Sequence, residues 1–309
     1  MIKYTRYIIL SFVFSLISLS IAYSFENKIL LKVNNEIVTS LDILKELEYL
    51  HIINKEFKNI KKEEAIEISK NSIIREKIKE IEIKRIIKEI KIEDKILENL
   101  IINYFKEFQI KSISEFENYF LNRNIDPDEI KKKIALEVLW KQLIYKKYQK
   151  NVKINKQKII NDLKKNDEQS EFLLAEILFN VNEGENLDDK YNLITNSIKK
   201  INFSQAALAY STSNTANKGG KLGWVAESVL SEKIFNELKN LQIGEHTNPI
   251  LVPGGFLILK LLDLRKISRD FDLDNEVKKI VRKKTNQQLN RFSNIYFNKL
   301  KKDITINEF

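Results

Sequence analysis

The sequence predicts an α+β protein with a mostly helical first half, a mixed unit of strands and helices after it, and a closing amphipathic helix. Three observations predict this. Apolar residues recur at helical spacing through the first half. From about residue 155 the pattern changes to strand-like runs alternating with short helices, and residues 270–303 return to helical spacing. Only 7 Gly and 3 Pro in 309 residues imply few turns and long regular elements.

Taken in order, residues 29–38 read as a short strand and turn, with Asn34-Asn35 as the turn signal. Thr39 three residues before Asp42 is a capping pattern, and the helix behind it carries Ile43, Leu47 and Leu50 on one face. A long helix over 62–90 is predicted by Ile74, Ile78 and Ile81, continued by Ile86, Ile87 and Ile90. Leu97, Leu100, Ile101, Tyr104, Phe105 and Phe108 mark a third helix. Ser112 and Glu115 cap a fourth with Phe116, Tyr119 and Phe120. Asp126-Pro127 opens a fifth, carrying Ile130, Ile134 and Val138 and reaching toward Lys150. Such stripes are ordinarily core, although short helices that pack imperfectly leave an apolar groove for extended peptides.

Residues 28–42, Lys-Ile-Leu-Leu-Lys-Val-Asn-Asn-Glu-Ile-Val-Thr-Ser-Leu-Asp, resemble the opening of the SurA-type chaperone domain. The later helices, 113–145 included, match the layout of that domain. The resemblance implies a helical chaperone module over 25–165.

Asn155 is placed to cap a short helix to Leu163, and 164–170 reads as a polar linker. Residues 172–181 read as a strand. Leu187, Tyr191, Ile194, Ile198 and Ile201 mark a helix, and Phe203, Ala206, Ala207 and Tyr210 another. A polar loop over 211–223 follows. Ser231 caps a helix with Phe235, Leu238 and Leu241, and strands at 247–252 and 256–262 flank the turn Pro253-Gly254-Gly255.

Three ordered motifs in this stretch resemble a parvulin-type prolyl isomerase domain over 171–265. They are 203–211 leading to Gly219-Gly220-Lys221-Leu222-Gly223-Trp224; Phe235 and Leu238 leading to Gly244-Glu245 and Thr247-Asn248-Pro249-Ile250; and Gly254-Gly255-Phe256 with Ile258, Lys260, Leu261, Asp263 and Arg265. Parvulins isomerise Xaa-Pro bonds against a barrier of about 18–20 kcal/mol, without covalent chemistry. An apolar pocket holds the ring, and polar groups favour the twisted amide. The resemblance therefore nominates site positions, and here they depart from the family pattern. Glu176 and Leu257 stand where the two His are expected, and Ser213 falls near the place of the Cys or Asp. The apolar positions are better kept: Leu230, Phe235 and Phe256 are the candidate substrate-binding residues. Phe235, Phe256 and Leu257 can equally be read as core, and a Glu176 on a central strand must be paired, protonated or exposed.

Residues 270–303, with Val277, Ile280, Val281, Leu289, Phe292, Tyr296 and Leu300, form an apolar stripe that needs a partner. The SurA resemblance implies that this helix returns to the N-terminal module, so that the parvulin domain is inserted within one helical core.

Composition narrows the function classes. There is no Cys, which removes thiol catalysis and Cys-based metal sites; with only His51 and His246, a His-rich metal cluster is unavailable. No phosphate-binding Gly-rich loop is present, and no cofactor is implied. The net charge of +10 reads as solvated helix faces, since no compact basic-aromatic motif points to nucleic acid. Lys3 and Arg6, the apolar run 8–22 and Ala22-Tyr23-Ser24 form a signal-peptide pattern over 1–24, too short for a comfortable membrane span. The expectation is export to the periplasm, cleavage after Ser24 and no integral span afterwards. The expected function is a chaperone for unfolded outer-membrane polypeptides, with a weak or inactive isomerase domain. The alternative is an active peptidyl-prolyl isomerase.

Overall fold

The computed structural model describes residues 27–54, 57, 60–165, 168–181, 184–268 and 272–309. The signal-peptide pattern at 1–24 lies outside these residues.

The chain opens with a hairpin, β1 (Ile29–Val33) and β2 (Glu36–Thr39), turned by Asn34 at φ 51°. Asn tolerates this left-handed conformation better than most residues. Thr39 then caps α1 (Ser40–Ile53): its side chain accepts from the Asp42 amide, and the Asp42 carboxylate accepts from the Thr39 amide at 2.8 Å. Next come α2 (Lys62–Lys84), α3 (Asp94–Tyr104), α4 (Ile113–Leu121) and α5 (Pro127–Tyr148). The Ser112 hydroxyl accepts from the Glu115 amide to start α4, and Asp126 caps α5 one residue before Pro127. α2 is shorter than the sequence predicts. It stops at Lys84, leaving Ile86 56% exposed, while Ile87 and Ile90 still pack against the core beyond the helix end.

α6 (Lys156–Lys165), started by the Asn155 side chain, leads to β3 (Glu168–Phe179). The described residues of the expected linker at 164–170 belong to the end of this helix, at Lys165, and to the start of the strand, from Glu168. The early residues of β3 are held by ladder partners on β6 (Gly255–Ser268), which runs six residues further than the sequence predicts. Between them lie α7 (Leu187–Lys200), α8 (Phe203–Tyr210), β4 (Lys221–Ala226), α9 (Glu232–Leu238) and β5 (Ile250–Val252). β4 occupies the end of the stretch expected to be polar loop. The resulting four-stranded antiparallel sheet has the order β4-β3-β6-β5. The chain continues into α10 (Leu273–Lys302) and a short strand β7 (Ile306–Glu308), which pairs with β1.

One core joins the hairpin, α2, α5 and α10 through Leu31, Val33, Ile78, Trp140, Phe297 and Leu300. The indole of Trp140 is fully buried and donates to the Ser293 hydroxyl of α10 at 2.8 Å. A second core gathers Leu50, Phe105, Phe116 and Phe120, with Leu208 of α8 inserted into it. The sheet unit is also held on its other side, where Ala226 and Val229 pack with Ile159, Leu163 and Ile280 of α6 and α10.

Candidate prolyl-binding face

Side chains alternate across a strand, and β3 uses both faces. Ala175, Ile177 and Phe179 pack under α7 and α8 with Ile194, Ala206, Ala207 and Ile258. Leu174 and Leu178 face the other way, toward α9, with Leu257, Leu259, Ile234 and Leu238. Alternation puts Glu176 on this second face, as a lone carboxyl in an otherwise apolar row. Ladder pairing of Leu178 with Leu257 and of Glu176 with Leu259 makes Leu257 its diagonal neighbour. Leu230 and Phe235 border the same cluster, and Phe235 meets Phe172 edge-on at 6.2 Å between ring centroids.

Phe256 does not join them. It lies on the α7–α8 face, stacked on Phe179 at 5.8 Å, because it sits one position from Leu257 and the pleat turns it away. Of the candidate residues, Leu230, Phe235 and Leu257 thus share one apolar layer, and Phe256 lies in the layer on the opposite face of the sheet.

The polar loop supplies the partners of Glu176. The Ser213 hydroxyl donates to Glu176 Oε1, and the Thr215 hydroxyl donates to the same oxygen at 2.8 Å. The two hydroxyls are 3.1 Å apart. Thr215 was not singled out by the sequence; the signal available was a second hydroxyl two residues after Ser213. Burial holds the Glu176 carboxyl above the usual carboxylate range, and the two hydroxyl hydrogen bonds only partly oppose this. A carboxyl in this state has two capacities: protonated it donates one hydrogen bond, and ionised it only accepts.

The backbone fixes the loop close to β3. The Ser211 hydroxyl accepts from the Leu178 amide at 3.1 Å and from the Ser213 amide at 3.2 Å. Gly220 O accepts from the Glu176 amide at 2.8 Å. Gly220 has φ +76°, and a Cβ there would stand 2.2 Å from Glu176 O, so this approach requires glycine. Among the described residues no group of three or more His, Cys, Asp or Glu is arranged to hold a metal ion.

The same elements are matched by a known family: residues 177–263 fit the rotamase model, the PPIC-type PPIase domain. The chain is 27% identical over 169 residues to a chaperone SurA of Pseudomonas putida, covering 50% of this chain and 39% of that protein. It is 27% identical over 165 residues to the SurA of Nitrosococcus oceani, covering 50% and 39%. A solved SurA-like chaperone of Campylobacter jejuni aligns at 15% identity and TM-score 0.37, over 92% of this chain and 99% of that one. A solved PpiC-type isomerase domain aligns at 27% identity and TM-score 0.29, over 33% and 96%. The matches to the curated relatives span about 39% of their length. The chain is similar to SurA chaperones over about half its length, and its residues 177–263 match the PPIC-type rotamase model.

Proposed function

We propose that this chain is a periplasmic chaperone that holds unfolded outer-membrane polypeptides, and that its rotamase domain binds prolyl segments with weak or no isomerase activity. The observation that carries the second half is the commitment of the polar centre to itself. Both loop hydroxyls, Ser213 and Thr215, donate to Glu176, and Leu257 presents only hydrocarbon beside it. A group that favours a twisted amide has to be aimed at the amide, in apolar surroundings, without first breaking a bond of its own. The apolar part of the face, Leu230 and Phe235, is what a prolyl ring needs. Holding of clients is assigned to the helical module, with the SurA likeness as support. Export is assigned from the signal-peptide pattern at 1–24. No described helix is long and apolar enough to cross a membrane. Neither nucleic acid nor a cofactor is invoked.

A protease-coupled prolyl assay beside a client-aggregation assay tests this. The expected outcome is suppression of aggregation by the full chain with little or no acceleration of prolyl isomerisation. Protection should survive removal of 171–265 with the ends rejoined. Loss of protection in that deletion, with the helices still folded by circular dichroism, would move the chaperone function to the rotamase domain. The second reading, an active isomerase, is favoured by the raised pKa of Glu176, since a protonated carboxyl has a proton to donate. Acceleration abolished by Phe235→Ala and by Glu176→Ala would establish it.

A further inference from the structure

The loop that carries Ser213 and Thr215 is gripped from outside the sheet unit. Arg75 of α2 donates through Nη1 to the carbonyl of Ser211 at 2.5 Å and through Nη2 to Asn217 Oδ1 at 3.3 Å. One turn on, Lys79 reaches Asn214 Oδ1 at 3.5 Å while paired with Glu137. Lys218 stands 3.8 Å over the ring of Tyr104 in α3. Beneath these contacts Leu208 of α8 is buried among the aromatic side chains of the helical module. α8 covers the face of the sheet opposite Glu176, so the helices reach the loop without covering the prolyl face.

Within its own unit the loop is tied to β3 chiefly at its two ends, through Ser211 and Thr212 and through Gly220. Its middle, residues 213–218, holds itself by short turns and by the hydroxyl bonds to Glu176. The planar fork of Arg75 spans this middle, bonding at Ser211 and at Asn217 together.

We propose that Arg75 is a positioning residue for the prolyl face: α2 of the helical module fixes the loop whose hydroxyls set Glu176, so the polar centre is completed across the seam between the two units. This rests on the Glu176 face being the prolyl site. It makes the state of the helical module a determinant of how the rotamase face is set.

The test uses the full chain with Arg75→Met, Arg75→Lys and Asn217→Ala. Hydrogen exchange of amides 212–220 is measured beside NMR titration with a Xaa-Pro tetrapeptide. In Arg75→Met the loop amides should exchange about tenfold faster while the β3–β6 ladder keeps its protection. Peptide affinity should fall several-fold, and Arg75→Lys should restore part of both. Unchanged loop exchange in Arg75→Met overturns the proposal. If Arg75→Met does not fold, Asn217→Ala, which removes only one partner of the fork, is judged by the same exchange criterion. Absence of peptide binding by the wild-type chain would overturn the prolyl reading of the face, whereas the exchange result bears on the seam alone.

Discussion

At the scale of the residue, Glu176 shows how surroundings decide ionisation. Burial of Glu176 disfavours its charged form, and its partners are neutral hydroxyls, so its pKa is raised from 4.5. The folded state therefore binds this proton more tightly than the unfolded chain. A raised carboxyl pKa opposes folding increasingly as pH climbs from 4.5 through the folded value, and the effect levels off above it. Glu176→Gln keeps a carbonyl acceptor for both hydroxyls and removes the titration. The variant should match or exceed the wild type in stability at pH 7, and the difference should shrink as pH falls toward 4.5. Urea unfolding across pH 4–8 checks this, and a wild type that gains on the variant as pH rises would refute it. Gly220 makes the complementary steric case. Gly220→Ala forces a Cβ against Glu176 O at a φ that alanine rarely adopts, and should cost about 1–3 kcal/mol in the sheet unit. Calorimetry of the purified variant reads this directly.

At the scale of the element, what the sequence made legible was whatever local spacing determines. The capped starts of α1, α4, α5 and α9 sit where Thr39, Ser112, Asp126 and Ser231 place them. Ends set by tertiary contact were not legible. The isoleucine stripe over 74–90 gives no sign that α2 stops at Lys84, because Ile87 and Ile90 still pack on the core from non-helical backbone. The polar start of β3 reads as linker because its pairing comes from β6, nearly a hundred residues later. The candidate site divides along the same line. The motif resemblance nominates Glu176, Ser213 and Leu257, but only the pleat separates Phe256 from them, and only loop closure brings in Thr215. α2 also carries the charge contrast to Glu176. Burial alone would raise the Glu80 carboxyl, but hydrogen bonds from Lys132 and Lys84 and the charge of Lys77 hold it down to about 2. This stabilisation is present above 4.5 and is lost as pH falls toward 2. Glu80→Gln should therefore cost about 2 kcal/mol at pH 7 and much less at pH 3, read as a shift in urea midpoint.

At the scale of the molecule, α10 and β7 close a core that the first half opens. β1 lies between β2 and β7, so the first sheet joins segments from both ends of the described chain. α10 brings Tyr296, Phe297 and Leu300 against Ile78 and Trp140, and its Ser293 is the acceptor for the buried indole. Tyr296 also donates to the Glu82 carboxylate of α2 at 2.5 Å. Without α10 the helices of the first half would expose the apolar faces of α2 and α5 and leave the indole of Trp140 without its protein acceptor. Removal of 273–309 is therefore expected to abolish cooperative unfolding of the helical module, although residues 27–165 remain intact in the chain. The lost apolar burial, at roughly 25 cal/mol per Å², is large beside the ~5–15 kcal/mol by which a domain is stable. The sheet unit keeps its own four strands and two apolar layers, so it should retain a separate transition. Calorimetry of the truncated chain checks both. A truncated chain that still melts in two cooperative steps would show that the first half folds without its closing helix.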